Sequence, residues 1–246
     1  MVDGEILVCG GRTVSACYSY LPEENSWQKT GSLDQARGGA GSLSIDDREW
    51  WISGGSGSES YLSSSLIYQG RQFTAGPDLP YPSADHCVVR ANETHIVLIG
   101  GQSDLGVYRK DAYILDWTTM AWTQLPDLSH ERKGAGCGLL QENRVVVTGS
   151  WTGPGGNSTE ILDLDHLTWE LVPGSPGGTG FYYYFSQPYQ LKDTFYLLGG
   201  FDGSDKLDNV FEFDMDQKEW VVRKETLSMA RYQQATVALS DDDIQC

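Results

Sequence analysis

Apolar residues in this chain gather into short runs that close on glycine. EILVCGG, WWISGG, HIVLIGG, RVVVTGS and FYLLGG end at Gly10-Gly11, Gly54-Gly55, Gly100-Gly101, Gly149-Ser150 and Gly199-Gly200. The first glycines stand 44 to 50 residues apart, a period that marks a repeat architecture. Each run has the length of a strand, far below the roughly 20 residues a membrane helix needs. Nowhere do apolar residues recur at helical spacing for a useful length.

Behind each doublet comes a second apolar run and then an aromatic residue: Trp27, Phe73, Trp122, Trp169 and Trp220, 17 to 22 residues past the first glycine. Polar segments such as YLPEENSW, ILDWTTMAW, LDLDHLTW and FEFDMDQKEW separate these runs, so the last two strands of every unit are predicted to form a hairpin. A Leu-x-x-x-Arg pattern follows from Leu33 to Arg37, Leu128 to Arg132 and Leu227 to Arg231, with a degenerate form from Leu79 to Ser83. Small residues come next, Gly38, Gly39, Ala40 and Gly41 in one case and Gly134, Ala135 and Gly136 in another. Missing side chains let backbones converge, so these segments are predicted to start innermost strands. The pattern predicts an all-β fold of five four-stranded blades, a β-propeller. The five aromatics are expected to pack between neighbouring sheets.

At this point the residues resemble the kelch repeat family, whose units carry the glycine doublet, the downstream aromatic and a basic residue before the next blade. The resemblance spans the whole chain and implies a single domain, 1–246, with repeats near 1–33, 34–79, 80–128, 129–174 and 175–230. Family propellers commonly have six or seven blades, against five copies here. They close by pairing the two termini in one blade. That role falls to residues 231–246, with 234–239 as the innermost strand of blade one. The resemblance implies a non-catalytic protein-interaction module. In relatives preceded by a BTB domain it is the substrate receptor of a cullin-based ubiquitin ligase, so a cullin complex is expected only if an upstream BTB region exists. An actin-associated or stand-alone scaffold is the alternative, and a small-sugar enzyme or oxidase on the same scaffold is a further one.

Seventeen basic against 34 acidic residues leave a net charge of −17, which disfavours nucleic acid and anionic lipid. The N-terminal MVDGEILVCGG has neither the basic segment nor the apolar stretch of a secretory signal, so a cytoplasmic location is expected. Extracellular placement would require an upstream signal. Cys9, Cys17, Cys87, Cys137 and Cys246 are odd in number and widely spaced, which fits reduced, mostly buried thiols better than a disulfide framework. Two sequons, at Asn92 and Asn157, matter only in a secreted protein.

No chemistry-bearing motif stands out. The four histidines, His86, His95, His130 and His166, fall in different repeats without metal-ligand spacing, and there is no nucleophile elbow or phosphate cradle. No catalytic residue, metal or cofactor is expected, and the motif of a copper radical oxidase finds no match. The expected partner is a protein or peptide. Kelch proteins that recruit partners use the loop after each doublet and the residues after the basic position, which by position implicates Arg12, Arg37, Gln102, Arg132, Lys133, Trp151, Phe201, Asp202, Arg231 and Tyr232. The arginines have a competing role, bonding backbone carbonyls at the start of a blade. The aromatic run at 181–185 is expected to pack between blades, and the acidic segments at 46–47, 202–216 and 241–243 to form solvated turns.

Overall fold

The computed structural model describes residues 5–104, 106–141, 143–151, 153–174, 189–191 and 194–232. The expected closing strand at 234–239, the aromatic run at 181–185 and the acidic segment at 241–243 lie outside the described residues. The chain divides into two compact units, Met1–Asp127 and Leu128–Cys246.

The first unit holds three antiparallel sheets. One contains β1 (Ile6–Cys9), β2 (Ala16–Leu21) and β3 (Ser26–Ser32). The second contains β4 (Gly41–Ser44), β5 (Glu49–Ser53), β6 (Ser65–Gln69) and β7 (Gln72–Ala75). The third is built on β8 (Cys87–Arg90) and β9 (His95–Ile99). After a two-stranded ribbon of β10 (Gln102–Asp104) and β11 (Val107–Tyr108), it is completed by β12 (Ala112–Asp116) and β13 (Ala121–Leu125). In the second unit, β14 (Gly136–Leu140), β15 (Arg144–Thr148), β16 (Ser158–Asp163) and β17 (Thr168–Pro173) form one sheet. The other comprises β18 (Tyr189–Leu191), β19 (Thr194–Phe201), β20 (Lys206–Asp214) and β21 (Glu219–Thr226). The protein is thus all-β, and its five small sheets have the arrangement of propeller blades. Four of them have four strands; among the described residues the first has three.

The predicted hairpins form where turn chemistry demands. Gly70 and Arg71 join β6 to β7 with φ of 57° and 65°, a two-residue turn of the primed kind that suits twisted strands. Three other hairpins share one device. Asp116, Asp163 and Asp214 each accept two backbone N–H groups from the turn that follows, at 2.8 to 3.2 Å. These bonds favour the ionised form and hold the Asp116 and Asp163 carboxyls below the usual carboxylate range.

Alternation along the strands sends residues into separate cores. Trp51 of β5 is fully buried with Leu79, Tyr81, Val88, Ile96, Leu98 and Leu115. Its neighbour Ile52 faces the other way and packs with Cys17, Leu33 and Leu66. In the second unit, Leu140, Val146, Ile161, Phe195, Leu197, Phe211 and Phe213 form the corresponding layer. Small residues on the innermost strands make the close approach possible, since a Cβ at Gly138 of β14 would run into the Phe195 ring. The repeated aromatics are peripheral to these cores. Phe73, Trp122 and Trp220 are half-buried against them and Trp169 is half-buried as well. Trp27 is 51% exposed, contrary to expectation. It sits on the outermost strand of the first sheet and leans on Tyr20, with ring centroids 5.2 Å apart.

The expectation of reduced thiols is also corrected. Register places Cys9 of β1 directly opposite Cys17 of β2, with Cα atoms 4.0 Å apart, and the two form a disulfide. Neither Cys87 nor Cys137 is a free thiol.

His86 lies fully inside the first unit, where its Nε2 meets Ser53 Oγ at 3.0 Å and its Nδ1 has no hydrogen-bond partner. Burial pushes its pKa down to about 4 from the usual 6.5. The unfolded chain therefore binds a proton between those values that the native state refuses, so the group's contribution is intact above pH 6.5 and lost as pH falls toward 4. Urea unfolding at pH 7.5 and pH 4 is expected to show wild type losing about 3 kcal/mol more than His86→Gln over that interval. Equal losses in the two proteins would show that His86 binds its proton equally well in the folded and the unfolded chain.

Candidate protein-binding site

The Leu-x-x-x-Arg segment works in two directions. Its leucine and its backbone carbonyl press on the doublet behind it. A Cβ at Gly10 would lie 2.8 Å from Leu33 Cδ1, one at Gly54 would run into Ser83 O, and one at Gly199 would lie 2.5 Å from Arg231 O. These first glycines also carry left-handed φ values, 76°, 59° and 67°, so both shape and torsion require glycine. The second position is less demanding. Gly55 and Gly200 donate N–H to Ser83 O and Arg231 O at 2.8 and 2.9 Å. Ser150, which is absent from the positive-φ residues, occupies the same place in the fourth repeat.

The basic side chain reaches forward, to the doublet of the next blade. Arg37 Nη1 donates to Gly54 O at 3.0 Å and Ser64 O at 2.7 Å, and Nη2 to Ser64 Oγ at 2.9 Å. Arg132 repeats the pattern at the same 17-residue separation, with Nη1 on Gly149 O at 3.1 Å and Ser158 O at 3.0 Å and Nη2 on Ser158 Oγ at 3.1 Å. A carboxylate balances each charge. Asp34 pairs with Arg37 at 3.0 Å. Glu160, fully buried, takes Arg132 Nη2 at 2.8 Å and Ser129 N–H at 2.6 Å.

The third blade, where Ser83 replaces arginine, solves the same problem with different chemistry. Tyr81 Oη donates to Gly100 O at 3.0 Å. Burial raises the Tyr81 pKa, which keeps the phenol protonated as a donor. The Arg109 guanidinium lies 4.0 Å from the centre of the Tyr81 ring and bonds Asp111. Neither Tyr81 nor Glu160 stands out in the sequence, because neither recurs at its position in the other repeats.

These placements sort the candidate residues. Arg37 and Arg132 are 3% and 1% exposed and spend their donors on the frame, so they do not face a partner. Gln102, 4% exposed, is in a bridge, exchanging backbone bonds with Ala84 at 2.8 and 3.0 Å. Arg12 is exposed in the first loop. In the second unit the expected residues come together in two clusters. Trp151, 38% exposed, donates its N–H to Lys133 O at 2.8 Å, and Lys133 Nζ lies 5.5 Å from the indole centroid. Phe201 and Tyr232 meet with centroids 5.6 Å apart, with Lys206 Nζ 5.5 Å from the tyrosine ring. Asp202 is held in its turn by the N–H groups of Asp205 and Ser204 at 2.7 and 2.8 Å, which lower its pKa. The Arg231 side chain is exposed, with Nε on Met229 O at 3.1 Å.

Among the described residues no group of His, Cys, Asp and Glu could hold a metal ion, and no helix is long and apolar enough to cross a membrane. No protein-family model matches the chain. It is similar to the spermatocyte protein spe-26 of Caenorhabditis elegans, with 31% identity over 137 residues that cover 51% of this chain and 23% of that protein. The chain therefore spans under a quarter of the length of that relative.

The contrast between buried and exposed arginines is measurable. Arg132→Ala strands a buried carboxylate and several carbonyls and is expected to cost about 3–5 kcal/mol in denaturant unfolding. Arg231→Ala should stay within about 0.5 kcal/mol of wild type. Similar losses for both would mean that Arg231 is held as Arg132 is.

Proposed function

We propose that this chain is a kelch-type propeller module that binds other proteins through the loops behind its glycine doublets, without catalysis of its own. The observation that carries the reading is a division of labour. Arg37, Tyr81 and Arg132 turn inward to hold backbone carbonyls of the doublets, while Trp151, a residue that differs between units, lies at the surface. Variable side chains on a rigid frame are a common arrangement for recognition, and exposed tryptophan is a frequent interface anchor. Lys133 lies over the Trp151 indole and Lys206 over the Tyr232 ring, which suits a protein segment carrying acidic side chains. The partial likeness to spe-26 neither adds nor removes a partner. A role in a cullin-based ligase has no support in the residues described.

Trp151→Ala and Trp27→Ala separate this reading from a general effect of losing surface tryptophan. Quantitative affinity capture from the native source is expected to lose a common set of proteins by at least about tenfold with Trp151→Ala. Trp27→Ala should retain that set, and both variants should unfold within about 1 kcal/mol of wild type. Equal capture by wild type and Trp151→Ala would remove Trp151 from the binding surface.

A further inference from the structure

The two Asn-x-Ser/Thr triplets differ in exposure, one having its threonine buried in a blade and the other lying wholly on the surface. In the fourth blade, Ser158 supplies its carbonyl and hydroxyl to Arg132, and Thr159 is fully buried. The Thr159 hydroxyl meets Thr148 Oγ1 at 2.9 Å and Gly174 O at 3.1 Å and accepts from Trp220 Nε1 at 2.9 Å. Asn157-Ser158-Thr159 is therefore part of the frame.

Asn92-Glu93-Thr94 is different. It forms the exposed turn between β8 and β9, with Ala91 N–H on His95 O at 2.9 Å, Trp117 N–H on Thr94 O at 2.7 Å and Arg90 Nε on Asn92 O at 3.2 Å. Asn92 Oδ1 accepts from Thr94 N–H at 2.9 Å, with Thr94 Oγ1 at 3.3 Å and His95 Nδ1 at 3.1 Å beside it. This Asx turn ties down the carboxamide oxygen of an exposed residue, with the threonine hydroxyl next to it. Among the described residues Thr94 Oγ1 bonds Asn92 and His95.

Cysteine chemistry points to the compartment in which that turn would be modified. The Cys9–Cys17 disulfide requires removal of two protons and two electrons by a thiol–disulfide oxidant, and Cys87 and Cys137 are not free thiols either. Such bonds persist in the secretory lumen and outside the cell and are rare in the cytosol. Asn-x-Ser/Thr triplets are glycosylated along the same route.

We propose that this protein matures in the secretory pathway and carries an N-linked glycan on Asn92. In the transfer, Asn92 Nδ2 attacks the anomeric carbon of a lipid-linked diphosphate oligosaccharide. The C–N bond forms as the C–O bond to the diphosphate breaks, the lipid diphosphate leaves with the electron pair, and an amide proton passes to a base of the transferase. Strand β9 separates Asn92 from the Gly100-Gly101 doublet by about 16 Å, so the glycan stands at the opposite end of its blade from the doublet loop.

The native protein, alkylated without reductant and digested, is treated with peptide N-glycosidase in heavy-oxygen water and mapped by mass spectrometry. The expected result is conversion of Asn92 to isotopically tagged aspartate in most copies, with Cys9 and Cys17 alkylated only after reduction. Untagged Asn92 overturns the glycan, and alkylation of Cys9 and Cys17 before reduction overturns the compartment. In the full chain secreted from animal cells, Thr94→Ser should keep the glycosidase-sensitive tag on Asn92 and Thr94→Ala should lose it. An Asn92 tag that survives Thr94→Ala would contradict the assignment.

Discussion

A carbonyl oxygen that cannot be left unpaired organises the structure. In the second, third and fourth blades the first glycine of the doublet turns into the left-handed region as the chain leaves the second strand, and its carbonyl is bonded by a side chain. A buried carbonyl without a partner costs about 1–3 kcal/mol, so each of these three blades supplies a donor there. Arg37 serves Gly54, Tyr81 serves Gly100 and Arg132 serves Gly149. The choice of donor has consequences. A guanidinium brings a charge inside and requires a carboxylate, Asp34 in one case and Glu160 in another, whereas the neutral phenol of Tyr81 requires none.

The same solution determines what remains for recognition. Because Arg37 and Arg132 are enclosed, the chemical variety of the loops lies in the residues that follow the doublets. The clusters around Trp151 and around Phe201 and Tyr232 are the result, each with a cation over an aromatic face. Substitutions in the frame are therefore expected to act through stability and substitutions in the clusters through binding.

Much of the fold was legible in the sequence because the spacing of doublets, aromatics and Leu-x-x-x-Arg segments is a one-dimensional record of strand order. Five sheets, their hairpins and the small-residue inner strands follow from it. What spacing does not record is register and facing. Cys9 and Cys17 look like separate thiols until antiparallel pairing sets them opposite each other. Trp27 shares its repeat position and an edge strand with half-buried aromatics yet is itself 51% exposed, and Gln102 follows its doublet as Trp151 does yet is buried in a bridge. Trp51, Tyr81, His86 and Glu160 were harder still, since each serves a need peculiar to one blade. Of the binding residues, Trp151 and Phe201 were visible as aromatics just past a strand, and the inward turn of Arg37 and Arg132 was legible only as an alternative.

The most direct test is the unfolding free energy of Tyr81→Phe, which deletes the single oxygen that serves Gly100 and leaves the ring in its core, measured beside Tyr113→Phe as a neighbouring control. If the doublet carbonyl governs blade stability, Tyr81→Phe loses about 1–3 kcal/mol and the control much less. A Tyr81→Phe protein as stable as wild type would contradict that claim.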